Sequence, residues 1–297
     1  MKILLTGKNG QVGFELRRAL ATIGHVQAMG TAECDLCDEA ATRKTIRAYR
    51  PDVIVNSAAY TAVDKAESDI ERAYLINAYA PTLLAEEAQA LNAMIVHYST
   101  DYVFDGCKID AYVESDMPNP LGVYGASKLA GEYGVARTCD RHLILRTSWV
   151  IGAHGGNFAK TILRLASEKD ILSIVSDQWG APTPASFLAD ITAHLVRQAH
   201  HEGFPFGLYH VAGAGQTNWH SYAMYVIGRA RQAGWPIRVA SDAIRAITTS
   251  DYPSSTKRPI NSCLDSTKLR TTFGLHLPEW RAGVDHILDQ IFDTEQL

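Results

Sequence analysis

Tyr124 and Lys128 stand four residues apart in Tyr124-Gly125-Ala126-Ser127-Lys128, an interval that sets a phenol and an ammonium on one face of a helix. A cation beside a tyrosine favours the phenolate, each unit taken off the reference pKa of about 10 being worth roughly 1.4 kcal/mol. Such a pair exchanges protons near neutral pH. In a chain with 13 tyrosines the spacing also arises by chance and then marks only a solvated helix face, so its meaning rests on what accompanies it.

Two further groups accompany it. Ile3-Leu4-Leu5 is followed by Gly7, Gly10 and Gly13 at three-residue spacing, and then by the helical pattern from Phe14 to Leu20. This reads as strand, glycine turn and helix. Glycines let the backbone approach a ligand, and the free amides at the helix start receive a pyrophosphate. A tight turn is the plainer alternative, but the place directly after the first strand favours dinucleotide binding. The second group is Ser99, Thr100 and Asp101, which follow the apolar run from Met94 to Tyr98 and emerge at a strand end. Each hydroxyl could simply cap a turn. With a glycine turn upstream and Tyr124 and Lys128 downstream, a hydroxyl donor completes a set suited to hydride transfer to a carbonyl.

The elements that must position these groups alternate. Strand-like runs at 25–29, 53–55, 94–98 and 143–145 are interleaved with helical patterns near 11–22, 38–49, 65–79, 81–92 and 125–138. This predicts an α/β fold, a Rossmann-type doubly wound parallel sheet with ligands at the carboxyl ends of its strands. Beyond residue 150 the rhythm loosens around helices near 157–168, 184–200 and 217–233. The expected division is a dinucleotide-binding domain at 1–150, with a returning strand near 207–213, and a smaller interleaved domain at 151–206 and 214–297.

Composition sets bounds. The 297 residues are 46% hydrophobic, enough for a large core, and 28 basic against 32 acidic side chains leave no electrostatic footprint for nucleic acid. Neither a targeting segment nor a run of 18 apolar residues is present, so a soluble, cytoplasmic protein is expected, with no membrane partner. Five cysteines do not suggest a disulfide scaffold, and Cys34-Asp35-Leu36-Cys37 lacks the second pair of a zinc ribbon. The 11 histidines are scattered and form no His-Glu-x-x-His motif.

Five ordered segments carry a more specific likeness: Val55 to Glu67, Ser99 to Gly106, Tyr124 to Glu132, Arg146 to Val150, and Asp177 to Thr183. On these the chain resembles the short-chain dehydrogenase/reductases in their extended, sugar-nucleotide-modifying branch, and within that branch the dTDP-4-dehydrorhamnose reductase family. The resemblance implies NAD(P)H-dependent reduction of the 4-keto group of dTDP-4-dehydro-L-rhamnose. It implies Thr100, Tyr124 and Lys128 as catalytic residues, with Thr100 on the carbonyl, Tyr124 as proton donor, and Lys128 favouring the phenolate and holding the nicotinamide ribose. It further implies that Gly7, Gly10, Gln11, Val12 and Gly13 cradle the pyrophosphate, that Asp35 and Leu36 border the adenine, and that Ala59, Tyr60 and Thr61 line the dinucleotide. Asp101 and Trp149 match sugar-contacting positions, although Trp149 also reads as a core tryptophan.

Met29-Gly30-Thr31 at the end of the second strand lacks the acidic residue that would hold an adenosine 2'-hydroxyl, and Lys8 is placed to meet a 2'-phosphate. NADPH is therefore expected, with NADH tolerated. Reductases of this type are associated with Mg2+, which the chemistry does not require; Glu15, Asp190 and Asp293 are acidic groups for such an ion at the contact of a homodimer, or else solvated charges. Arg258 and Asn157 read equally as diphosphate contacts and as loop stabilisers. An epimerase of the same branch, which returns the hydride it takes, and a non-catalytic regulatory subunit of the same fold are the alternatives.

Overall fold

The computed structural model describes residues 1–252 and 256–294. Residues 253–255, within the stretch 252–259 noted above, and 295–297, at the end of the expected second domain, lie outside the described residues. The alternation opens with β1 (Lys2–Thr6), α1 (Gln11–Ala21), β2 (His25–Met29), α2 (Glu39–Tyr49) and β3 (Val53–Asn56). Local chemistry sets the ends. The Asp38 carboxylate accepts the Ala41 N–H at 2.9 Å to start α2, and Arg50 turns left-handed, φ 53°, to stop it.

Next come α3 (Val63–Ala66), α4 (Ile70–Tyr74) and α5 (Ala80–Ala90), the last two joined by a π-helical turn over Leu75–Tyr79. The two helices expected at 65–79 and 81–92 are continuous from residue 70 onward. Pro81 has no N–H to return to the Asn77 carbonyl, which accounts for a widened turn at this point. That carbonyl packs against α6 (Val123–Thr138), where a Cβ on Gly131 would collide with it; Gly125 and Gly134 are likewise crowded by the Tyr102 carbonyl and the Thr82 hydroxyl. The glycines of α6 thus permit close contact with its neighbours.

β4 (Met94–Thr100) and β5 (His142–Thr147) flank α6 in sequence. The second half runs β6 (Val150–Ile151), α7 (Phe158–Glu168), β7 (Leu172–Val175), β8 (Trp179–Gly180), β9 (Thr183–Pro184), α8 (Ala185–Gln198) and β10 (Gly207–His210). It ends with β11 (Thr217–Asn218), α9 (Trp219–Gln232), β12 (Ile244–Ile247), α10 (Thr267–Phe273) and α11 (Trp280–Thr294).

Among the described residues six strands pair in the order β10-β5-β4-β3-β1-β2, all parallel. The order reverses beside β1, whose neighbours are β2 and β3. In a doubly wound sheet the ligand crevice opens at that reversal, beyond the carboxyl ends of the strands. Strand residues alternate between two cores: Ile3, Leu5, Val53, Val55, Val96 and Leu143 face α1, α8 and α10, while Leu4, Ile54, Ile95 and Ile144 face α2, α5 and α6. Period-two alternation with apolar residues on both faces is what a sheet covered on both sides requires.

A third core lies apart, built by Ile162 and Leu163 of α7, Tyr222, Val226 and Ile227 of α9, and Val284, Ile287 and Leu288 of α11. It gives the second half a centre of its own. Leu188 and Leu195 of α8 and Leu269 of α10, however, belong to the core under the large sheet. The two helices therefore pack with the first lobe although their residues fall within 151–206 and 214–297.

Candidate active site

The glycine turn joins β1 to α1 at the sheet's reversal point. Gly7 has φ +76°, and a Cβ there would lie 2.6 Å from the Ala58 N, so the backbone of the turn rests directly on the segment after β3. The Gly10 N–H donates to the Gly7 carbonyl at 3.0 Å. A Cβ on Gly13 would collide with that same carbonyl. No side chain caps α1 and no acidic residue occupies its first turn, so its leading amides and dipole are available to an anion. A groove of about 540 Å³ opens there, lined by Gly7, Gly10, Gln11, Val12, Asp35, Leu36, Ala59 and Thr61, with Gly155 and Gly156 from the second lobe. A tight glycine turn, uncapped amides and a crevice at the sheet's reversal point fit a dinucleotide. Gly13 is buried under the turn, and Tyr60, between the groove residues Ala59 and Thr61, gives its hydroxyl to Asp69 at 3.0 Å and its N–H to Asn77 at 2.8 Å.

Beneath this edge runs a buried polar row. Thr6 on β1, Asn56 on β3 and His97 on β4 are successive partners in strand register. The Thr6 hydroxyl donates to Asn56 Oδ1 at 2.6 Å, Asn56 Nδ2 meets His97 Nδ1 at 3.0 Å, and His97 Nε2 lies 3.5 Å from Lys128 Nζ. Asn56 Oδ1 also accepts the Ala58 N–H at 3.2 Å, which fixes its amide with the NH2 toward the imidazole. Burial, aided by the Lys128 charge, holds His97 well below the usual histidine range, so the ring is neutral.

Lys128 is almost fully buried on α6, and its ammonium donates to the Tyr98 carbonyl at 2.5 Å. Burial pulls it down to about 8, with Glu132 opposing. Tyr124, one turn earlier, is pushed up to about 12 by burial; the Thr100 hydroxyl works the other way and Asp101 adds to the rise. The helical spacing does bring phenol and ammonium to one side, but the ammonium's hydrogen bond goes to the end of β4. A phenol raised toward 12 is protonated at neutral pH and has a proton to give.

Thr100 ends β4, accepts the Tyr102 N–H and donates to Asp101 Oδ1, both at 3.1 Å. Burial raises Asp101 to about 6 against hydrogen bonds from Ser262 and Thr100, and its Oδ2 has no hydrogen-bond partner among the described residues. Edge-on packing of Tyr102 against Tyr124, centroids 5.4 Å apart, walls the same corner. The Thr100 hydroxyl and the Tyr124 phenol thus meet at the end of β4, with the buried Lys128 ammonium held on the same strand. That arrangement can bind a carbonyl oxygen and protonate it.

Trp149, just after β5, takes a left-handed backbone conformation, φ 47°, and stacks on Trp219 with centroids 3.5 Å apart. It packs against the edge of the second lobe's core while keeping part of its surface open. Nearby, Trp219 Nε1 donates to Gln178 Oε1 at 3.2 Å, and Gln178 Nε2 donates to Thr249 at 3.1 Å. A second groove, of about 1020 Å³, runs past Gln178, Trp179, Tyr252, Lys257 and Arg258. Arg258 pairs with Asp64 at 3.1 Å. Asn157 gives its NH2 to Gln11 and Gly152 and caps α7 by accepting the Lys160 N–H, a loop-stabilising set.

Sequence reasoning passed over Glu33, Asn56 and His97. Glu33 Oε2 accepts the Gly30 N–H at 2.8 Å and Oε1 pairs with Lys8 at 2.6 Å, so an acidic group does stand at the tip of β2. The signal was a turn that brings the third residue after Gly30 back onto it. For the metal, Arg18 meets both Glu15, at 3.3 Å, and Asp190, at 2.8 Å, so a guanidinium already compensates these carboxylates. Among the described residues no group of three or more His, Cys, Asp or Glu side chains forms a metal cluster.

A family described as RmlD substrate binding domain matches residues 1–292. The chain is 48% identical to the dTDP-4-dehydrorhamnose reductase of Salmonella typhimurium and 47% identical to that of Escherichia coli K12, each over 99% of both chains. A crystal structure of the dTDP-4-dehydrorhamnose reductase of Bacillus anthracis in complex with NADP is similar with a TM-score of 0.89 and 31% identity, covering 97% of this chain and 99% of that one.

Proposed function

The chain belongs to the RmlD substrate binding domain family, and from that premise we infer that it reduces the 4-keto group of dTDP-4-dehydro-L-rhamnose to dTDP-L-rhamnose, an activated sugar for cell-surface polysaccharide. The observation that carries this reading is the likeness along 99% of the chain to reductases of that name. Bound NADPH supplies the hydride for the ketone carbon. The Tyr124 phenol, held protonated, gives its proton to the developing alkoxide at its hydroxyl oxygen. The Thr100 hydroxyl turns from Asp101 to the carbonyl oxygen and stabilises the charge that forms there. Lys128 supplies a buried ammonium for the nicotinamide ribose beside Tyr98.

The same reading gives the pyrophosphate to the amides at Gly7, Gly10, Gln11 and Val12, with Gly13 keeping α1 close enough to the turn. Asp35 and Leu36 border the adenine; Ala59, Tyr60 and Thr61 line the dinucleotide wall. Asp101 and Trp149 contact the sugar between the sheet edge and the second lobe. NADPH is preferred and NADH tolerated, which the Lys8 ammonium beside the groove supports. A homodimer uses the face of α1 and α8, where Phe14 is exposed and a groove of about 960 Å³ runs past Phe187 and Asp190; light scattering with and without chelator tests both the dimer and a role for Mg2+. Five free thiols suit the reducing cytoplasm.

The test is NAD(P)H oxidation across a panel of nucleotide 4-keto sugars. Turnover with dTDP-4-dehydro-L-rhamnose is expected. A silent panel overturns the substrate assignment, and activity without added reductant points to an epimerase.

A further inference from the structure

Three side chains converge over the glycine that ends β2. A Cβ on Gly30 would lie 2.9 Å from Asn9 Nδ2, 3.3 Å from Glu33 Oε2 and 3.5 Å from Lys8 Cε. The turn after β2 returns Glu33 to this point through its own N–H and that of Cys34, both donating to the Gly30 carbonyl at 3.1 and 3.0 Å. Lys8 is tied to the same strand end, its N–H donating to the Met29 carbonyl at 3.2 Å. The room left by the missing Gly30 side chain is thus taken by an acid and a base from opposite rims of the dinucleotide groove, which Asn9, Gly30 and Thr31 line.

In doubly wound folds the adenosine ribose sits beyond the carboxyl end of β2, where a carboxylate accepts the 2'-hydroxyl of NAD and a cation takes the 2'-phosphate of NADP. Here both groups occupy the spot at once. We propose that the Lys8–Glu33 pair is a two-position reader of the adenosine 2'-substituent, Glu33 accepting the 2'-hydroxyl of NADH and Lys8, released from Glu33, binding the 2'-phosphate of NADPH. This rests on the dinucleotide reading of the groove. The pair can part at small cost because it is exposed to water, with 24% of the Lys8 and 48% of the Glu33 side-chain surface accessible. The Gly30 N–H keeps Glu33 at the strand tip when Lys8 leaves it. The same pair that admits both coenzymes therefore sets their ratio.

The test is equilibrium binding of NADP+ and NAD+ to the full chain by calorimetry, with no turnover. Lys8→Gln is expected to weaken NADP+ about tenfold and leave NAD+ within about twofold, the loss of one charge-assisted contact, while Lys8→Arg keeps NADP+ binding. Glu33→Gln is expected to weaken NAD+ while holding or tightening NADP+. Equal effects of either Gln variant on both coenzymes, or an unchanged ratio in both variants, overturn the proposal, as does a wild-type chain that binds only one coenzyme. Wild-type protein that binds neither overturns the dinucleotide reading itself.

Discussion

The Lys128 ammonium gives a hydrogen bond to the Tyr98 carbonyl at 2.5 Å, on the strand that ends in Thr100. Burial lowers this lysine to about 8 from its ordinary 10.5. It is charged below that pH and neutral above it. The rate is therefore expected to fall above about pH 8, and Lys128→Met should lose most activity together with this alkaline limb. A pH profile of kcat/KM measures both. Unfolded chain binds more protons than folded chain between about 8 and 10.5, so the Lys128 contribution to stability should rise with pH across that window.

Tyr124 is the only group in this corner assigned to give up a proton. Tyr124→Phe keeps the ring that packs edge-on against Tyr102 and removes only the hydroxyl. A fall in kcat of roughly 10²- to 10⁴-fold is expected, the usual worth of a positioned acid. Affinity for NADP+, read by calorimetry, should stay within about twofold. A variant that retains kcat ends the proton-donor assignment.

The alternation of Ile3, Leu4 and Leu5 between two cores, and the glycine turn after them, were legible because both follow from local spacing. The four-residue interval from Tyr124 to Lys128 was legible too, but not where the ammonium points, since Tyr98 reaches it from another element. Asn56 and His97 align only through strand register, which no single segment encodes. Glu33 was missed because a short turn, not the strand, returns it to Gly30. The lobe of α8 was hidden for a related reason: its apolar stripe fits any core, and only tertiary packing sets it under the large sheet.

Asp101 offers a test by stability. Its carboxyl is buried and raised to about 6 from 3.8. Folded chain therefore binds more protons than unfolded chain between those values, and stability is lost as pH rises through about 6. Asp101→Asn should flatten the slope of urea-unfolding free energy between pH 4 and about 7. An unchanged slope would mean that Asp101 titrates as it does in water.

Glu132 holds Arg146 by two hydrogen bonds, 2.8 Å to Nε and 2.6 Å to Nη2, with both side chains almost fully enclosed. The pair clamps α6 to β5, and the guanidinium lies over the Phe104 ring at 5.0 Å. It also stands opposite His210 on β10, which burial and the Arg146 charge pull down to about 3, so no cation from the edge strand shares the Glu132 charge. Glu132→Gln leaves a buried guanidinium facing a neutral amide. Removing one partner of such a pair costs about 3–5 kcal/mol, most of it the penalty of the charge left behind. Because α6 also carries Tyr124 and Lys128, activity should fall with the fraction of folded protein and return at temperatures where the variant is fully folded. Urea unfolding followed beside kcat decides it: a stability loss under about 1 kcal/mol would show that the pair is not what fixes α6 to the sheet.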